Sequence, residues 1–108
     1  MSNIIYKVMG NSNGIESLEA KKLIGQNYWD IILDVREDNE WDDGHYPNAT
    51  HIPVDKVEKK FKSKFPDKNL KILIYCRSGM RAGKAEDILR SQGYKNINIL
   101  NGSYTNLL

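Results

Sequence analysis

The stretch Ile72-Leu73-Ile74-Tyr75-Cys76-Arg77-Ser78-Gly79-Met80-Arg81-Ala82-Gly83 decides how this chain folds. An apolar and aromatic run stops at the chain's only cysteine, and a helical pattern begins just beyond it. A run of this kind fits a strand buried on both faces of a parallel sheet. Arg77-Ser78-Gly79 then supplies the compliant backbone of a sharp turn. Cys76 is therefore expected at the carboxyl end of a buried strand. A loop that curls round its sulfur can aim the main-chain N–H groups of Arg77, Ser78, Gly79, Met80 and Arg81 inward, as an anion-binding nest at a helix N-terminus. Such a nest, flanked by two arginines, favours the thiolate, which is the nucleophilic form of cysteine.

A lone cysteine is often no more than a small buried hydrophobe. Packing alone, however, asks for neither the glycine nor the cations that surround this one, so the reactive reading is preferred. A second stretch runs Asp34-Val35-Arg36 and then Gly44-His45-Tyr46-Pro47-Asn48-Ala49. Cys76 to Arg81 resembles the active-site loop of the rhodanese sulfurtransferases, and the earlier stretch resembles that family's second signature. Both occur in the family's order, and the resemblance extends from about Ser17 to Tyr104. It implies an α/β, rhodanese-like fold: a central, mainly parallel five-stranded sheet with helices on both faces. It also implies that His45 orders the loop in which it sits. The family usually carries glycine where this chain has Asn48, a change that asparagine's tolerance of left-handed backbone should absorb. Asn101-Gly102-Ser103-Tyr104 departs from the family's paired glycines and aromatic, which bears on the C-terminal packing and on one wall of the crevice.

A chain of 108 residues is read as a single rhodanese-like domain over 1–108, large enough to bury a core without metal or disulfide staples. Its 40% hydrophobic and 28% charged composition is that of a globular protein, and its net charge of +2 argues little about partners. One cysteine permits no internal disulfide, and neither a signal segment nor an apolar stretch of about 18 residues occurs. A soluble protein of a reducing cytoplasm, with no membrane partner, is expected.

Along the chain, Ile4 to Val8 is β-rich and is expected as an edge strand, followed by a loop from Gly10 to Gly14. Ser17 is placed to cap a helix carrying Leu18, Leu23 and Ile24 at helical spacing, closed by Gly25. Tyr28 to Val35 reads as a buried strand, and Asp34 and Arg36 mark its carboxyl exit, where ligands collect in open α/β sheets. Asp34 and Cys76 share one crevice if their strands are parallel neighbours. Arg36 and Glu40 are spaced for an i,i+4 pair on a short helix from Glu37 to Asp42. Asp34, Arg36 and Glu40 are read as supports of the site, because buried charge demands partners, and the family resemblance adds His45 to these supports.

Gly44 to Ala49 forms a turn into a short strand, Thr50 to Pro53, since Pro47 and Pro53 prevent a long ladder. His45 and His51 lack other ligands at metal-binding spacing, so no metal site is expected. Val54, Val57, Phe61 and Phe65 share one face of a helix ended by Pro66, with lysines at 56, 59, 60, 62 and 64 on its wet face. Asp55 and Glu58 offset these lysines and no aromatic is interleaved, so no nucleic-acid partner is expected; docking of an acidic protein there is the alternative. After the cysteine loop, Ala82, Ala85, Ile88 and Leu89 make a buried stripe opposite Lys84, Glu86, Asp87 and Arg90, with Gly93 closing the helix. Ala82 and Gly83 are small enough to let this helix approach the sheet, and Asn96 to Leu100 is the last strand.

Sulfur transfer suits such a loop. A thiolate attacks the outer sulfur of thiosulfate or of a persulfide, and the leaving anion is stabilised by the nest. The expected partners are a small anionic sulfur donor, for which Arg77 and Arg81 are the candidate ligands unless either pairs instead with Asp34 or a surface acid, and a thiol or cyanide acceptor or a sulfur-relay protein. No cofactor is required. Cysteine phosphatases and arsenate reductases also wrap a thiolate in a loop ending in arginine, but four residues separate Cys76 from Arg81 and their pattern is longer by a residue. The remaining alternative is a persulfide carrier or interaction module without turnover.

Overall fold

In the computed structural model, which describes residues 13–108, Ile72, Leu73, Ile74 and Tyr75 are completely buried. Their side chains alternate between two apolar clusters, Ile72 and Ile74 in one and Leu73 and Tyr75 in the other. That alternation makes this strand the spine of the sheet, because both of its faces are removed from water. The elements in order are β1 (Gly14–Glu16), α1 (Ser17–Gly25), β2 (Ile31–Asp34), α2 (Asp38–Asp43), β3 (Thr50–His51), α3 (Val54–Lys64), β4 (Lys71–Tyr75), α4 (Met80–Ser91) and β5 (Asn96–Asn101), followed by a 3-10 turn at Tyr104–Leu107.

The strands form one five-stranded sheet in the order β1-β5-β4-β2-β3, and every pairing is parallel. On one face Val57 and Phe61 of α3 and Ala82, Ala85 and Leu89 of α4 pack with Ile31, Leu33, Ile74 and Ile97. On the other, Ala20 of α1 and Leu107 of the 3-10 turn pack with Trp29, Leu73 and Leu100. The expected α/β architecture with helices on both faces is thus the observed one. From β2 the chain moves outward to β3, whereas from β4 it moves the opposite way to β5. Their exits diverge, and right-handed crossovers place the connecting helices on opposite faces. A crevice opens at this switch point, between the carboxyl ends of β2 and β4.

Ile4 to Val8, expected as an edge strand, lies outside the described residues. Among the described residues the edge strand beside β5 is Gly14–Glu16, which includes Gly14, expected in a loop. A Cβ on Gly14 would stand 3.0 Å from the exposed Asn101 side-chain amide, which would have to shift by a few tenths of an ångström to make room. Ser17 does not cap α1: the N-cap is Glu16, without a side-chain cap bond. The left-handed residue after α1 is Asn27 (φ 56°), and it is the only non-glycine with positive φ among the described residues, so Asn48 does not use that freedom. β2 is shorter than Tyr28 to Val35 because its partner β4 begins at Lys71, whose N–H the Asp30 carboxylate accepts at 2.9 Å.

On α4, Glu86 is buried rather than wet, accepting from Asn13 Nδ2 at 2.5 Å and Arg90 Nε at 2.8 Å. Ala82 does approach the sheet, but a Cβ on Gly83 would meet nothing within 4 Å, so Gly83 serves no close packing.

Candidate active site

Cys76 follows the last residue of β4 and is 3% exposed. The chain reverses at Gly79, whose φ of 94° is left-handed and cheap only for glycine. This reversal turns two amides onto the sulfur: Gly79 N–H donates to Sγ at 3.0 Å and Ala82 N–H at 3.3 Å. The nest therefore exists, but it is drawn by Gly79 and by a residue beyond the expected span. Arg77, Ser78 and Met80 are exposed, and the Met80 side chain, 83% accessible, points away from the sulfur cradle. Two N–H donors at the start of α4 stabilise negative charge at Sγ, because the helix end adds its own positive potential.

On the neighbouring strand, Asp34 is fully buried and accepts four bonds from Arg36: from its main-chain N–H at 2.9 Å, from Nε at 3.0 and 3.1 Å, and from Nη2 at 2.7 Å. Arg36 Nη2 also donates to the Gly44 carbonyl at 2.7 Å, tying β2 to the turn after α2. Its guanidinium lies 5.5 Å from the centre of the Tyr75 ring and 4.9 Å from that of Tyr104. Burial works against the Arg36 charge, but hydrogen bonding and attraction from Asp34 outweigh it and keep its pKa raised. Tyr75 is also pushed up, chiefly by burial, so it stays a neutral phenol, and its oxygen accepts the Tyr46 N–H at 3.0 Å.

The expected Arg36–Glu40 pair does not form, because the buried Asp34 captures Arg36. Glu40 instead pairs with Arg81 of α4, with contacts of 2.6 and 3.0 Å, and accepts the Glu37 N–H at 2.9 Å as part of a capping box. Arg81 is therefore a strut between α2 and α4 rather than a free anion ligand. Its pKa is raised, first by the Glu40 hydrogen bonds, with the Cys76 charge adding a smaller part. The Arg81 bonds, followed by the Glu37 N–H, pull the Glu40 carboxyl down from 4.5 to about 2.

Between those values the unfolded chain binds the extra proton and the native state does not, so acid removes this contribution. A Glu40→Gln variant should be less stable than the parent by about 1 kcal/mol at neutral pH. Urea unfolding at a series of pH values should show the gap undiminished above about pH 4.5, narrowing below it and closed near pH 2. A gap independent of pH would show that the strut carries no charge-dependent stability.

His45 Nδ1 donates to the Trp41 carbonyl at 3.0 Å, and its ring stacks on Trp41 with centres 3.4 Å apart, anchoring the turn to α2. His51 Nε2 donates to the Arg36 carbonyl at 2.8 Å and stacks on Trp41 at 4.7 Å. Among the described residues, no group of three or more His, Cys, Asp or Glu is arranged to hold a metal ion. No helix among them is long and apolar enough to cross a membrane.

An open cleft of about 350 Å³ is lined by Arg36, Glu40, Asp43, Cys76, Arg77, Ser103 and Tyr104. The buried cysteine thus sits at the bottom of a solvent-connected hollow. Ser103 and Tyr104 form the wall that the departure from the family's C-terminal pattern left open, and Leu107 is buried in the core beneath them. Ser103 caps the 3-10 turn by accepting the Thr105 N–H at 3.1 Å. Gly44, at φ 149°, leaves room for Tyr104: a Cβ there would stand 2.6 Å from the Tyr104 hydroxyl. Asp43 and Tyr75 carried no motif signal as site residues, and Trp41 could have been suspected only from its spacing to His45.

The family model for the rhodanese-like domain matches residues 16–108. Thiosulfate sulfurtransferase PspE of Escherichia coli (strain K12) is 32% identical over 65 residues, covering 60% of this chain and 62% of that protein. The putative sulfur carrier protein YrkF of Bacillus subtilis (strain 168) is 40% identical over 88 residues, covering 80% of this chain and 46% of that protein. This chain therefore spans less than two thirds of the length of either curated relative. The crystal structure of the Saccharomyces cerevisiae single-domain sulfurtransferase RDL2 matches with a TM-score of 0.68 at 30% identity, over 88% of this chain and 87% of that one.

Proposed function

The chain belongs to the rhodanese-like domain family, and from that membership we propose that it moves sulfane sulfur from thiosulfate or a persulfide donor to cyanide or a thiol acceptor through a Cys76 persulfide. The observation that carries this reading is the pair of amides, from Gly79 and Ala82, aimed at a sulfur at the bottom of an open cleft. In the first half-reaction the Cys76 thiolate attacks the outer sulfur of thiosulfate. The S–S bond of the donor breaks and sulfite leaves with the electron pair. In the second, the acceptor attacks the sulfur now carried on Cys76, and Sγ recovers its electron pair as thiolate. The same two N–H groups stabilise the thiolate and the persulfide anion without reorganising, an effect of about 2.7 to 4 kcal/mol per donor in comparable oxyanion sites.

Arg77, exposed at the cleft, is the residue available to hold an anionic donor, since Arg81 is engaged by Glu40. No cofactor enters this cycle. A carrier role without independent turnover is the second reading, favoured by the likeness to YrkF, a putative sulfur carrier by name. Mass spectrometry of the intact protein after incubation with thiosulfate, and separately with a persulfide donor, tests both. A gain of one sulfur, located to Cys76 and removed by a reducing thiol, is expected. Loading only from a persulfurated protein would favour the carrier, and no adduct with any donor would overturn both. Turnover of an aryl phosphate above that of thiosulfate would instead point to the phosphatase chemistry.

A further inference from the structure

Four charged side chains line the cleft above Cys76: Arg36, Glu40, Asp43 and Arg77. Two are engaged, Arg36 by Asp34 and the Gly44 carbonyl and Glu40 by Arg81. The other two are exposed and make no hydrogen bond or ion pair among the described residues. Asp43 ends α2, whereas Arg77 directly follows the cysteine, so the cleft offers one free anion and one free cation from different elements. A free carboxylate repels thiosulfate, a dianion, so a site shaped for the donor alone has no use for it. A carboxylate and a guanidinium lining one small cleft complement a zwitterion.

Building on the sulfurtransferase reading above, we propose that Asp43 selects the sulfur acceptor, favouring thiols of the amino-acid type. Asp43 takes the acceptor's ammonium group while Arg77 takes its carboxylate. The acceptor's thiolate attacks the outer sulfur of the Cys76 persulfide, forming a new S–S bond as the bond to Sγ breaks. The electron pair of the broken bond stays on Cys76 as thiolate, and the acceptor leaves as a persulfide anion, so no oxidant or reductant is consumed. An ammonium held at Asp43 also offsets the repulsion between an anionic acceptor and the anionic persulfide. Asp43 therefore acts in opposite directions on the two half-reactions, slowing the dianionic donor and speeding the zwitterionic acceptor. A residue that merely held the fold would move both together.

The test follows each half-reaction separately in the full chain. Loading by thiosulfate is timed by mass spectrometry. The loaded protein is then mixed with cysteine or with N-acetylcysteine, which lacks the ammonium, at matched thiolate concentrations. The parent protein should prefer cysteine by about fivefold, the factor expected of a partly exposed ion pair worth about 1 kcal/mol. Asp43→Asn should bring that ratio close to unity while speeding thiosulfate loading severalfold, and Asp43→Lys should reverse the preference. Equal transfer to both thiols by the parent, or a ratio unchanged in both variants, overturns the assignment, as does a parallel slowing of loading and transfer. If the parent acquires no persulfide at all, the sulfurtransferase reading falls with it; normal loading with no thiol preference removes only the role given to Asp43.

Discussion

Replacing Cys76 by serine should abolish both sulfur loading and thiocyanate formation from thiosulfate and cyanide, a loss on the order of 10⁴-fold or more. A serine hydroxyl fits the space of the thiol and can accept the same Gly79 and Ala82 N–H groups, so the loop keeps its shape. What disappears is the nucleophile: at neutral pH a hydroxyl with no adjacent general base does not ionise, and oxygen in place of sulfur cannot form a persulfide. The variant should therefore unfold within a few degrees of the parent while showing no adduct by mass spectrometry. Thiocyanate formation retained by Cys76→Ser would remove Cys76 from the mechanism, whatever the quality of its cradle.

The largest expected effect on stability lies one strand away. Asp34 is completely buried with its carboxylate committed to Arg36, which is itself nearly buried and lies within 5.5 Å of the centres of two tyrosine rings. Asp34→Ala leaves that guanidinium desolvated and without its counter-charge, a change that typically costs about 3–5 kcal/mol. Against a total stability of about 5–15 kcal/mol, this approaches the whole margin of a small domain. Removing both charges together, as Asp34→Ala with Arg36→Met, should cost less than removing Asp34 alone, because no unpaired ion then remains. Urea unfolding of the parent, the single variants and the double variant measures this directly. A cost below about 1 kcal/mol for Asp34→Ala would mean that Arg36 finds water, as an exposed pair would.

The two signatures were legible in the chain for different physical reasons. Cys76 and Gly79 announce themselves locally: a strand run, a cysteine and a glycine in eight residues leave few ways to continue except a reversal round the sulfur. The same locality misled at the amides, since Ala82, already inside α4, supplies the second donor in place of the exposed loop residues. Arg36 and Glu40 show the opposite case. Their i,i+4 spacing proposes a partnership, but a fully buried carboxylate competes better for Arg36 than a partly exposed one, and Glu40 pairs with a residue 41 positions away. Glu86, read as wet from its place on α4, is enclosed by contacts with Asn13 and Arg90. Asp43 had no pattern to mark it, because what sets it apart is its place in the cleft with no hydrogen bond or ion pair among the described residues.

By itself the sequence determined the alternation of strands and helices, the two-faced burial of β4 and the position of the thiol at its carboxyl end, because hydrophobic period and backbone freedom act over a few residues. Tertiary structure alone decided which charges neutralise one another, which arginine makes no ion pair among the described residues and which C-terminal residues close the cleft. Those outcomes depend on the competition between burial and pairing among groups far apart in the chain, and that competition is settled only once the sheet has brought β2 and β4 side by side.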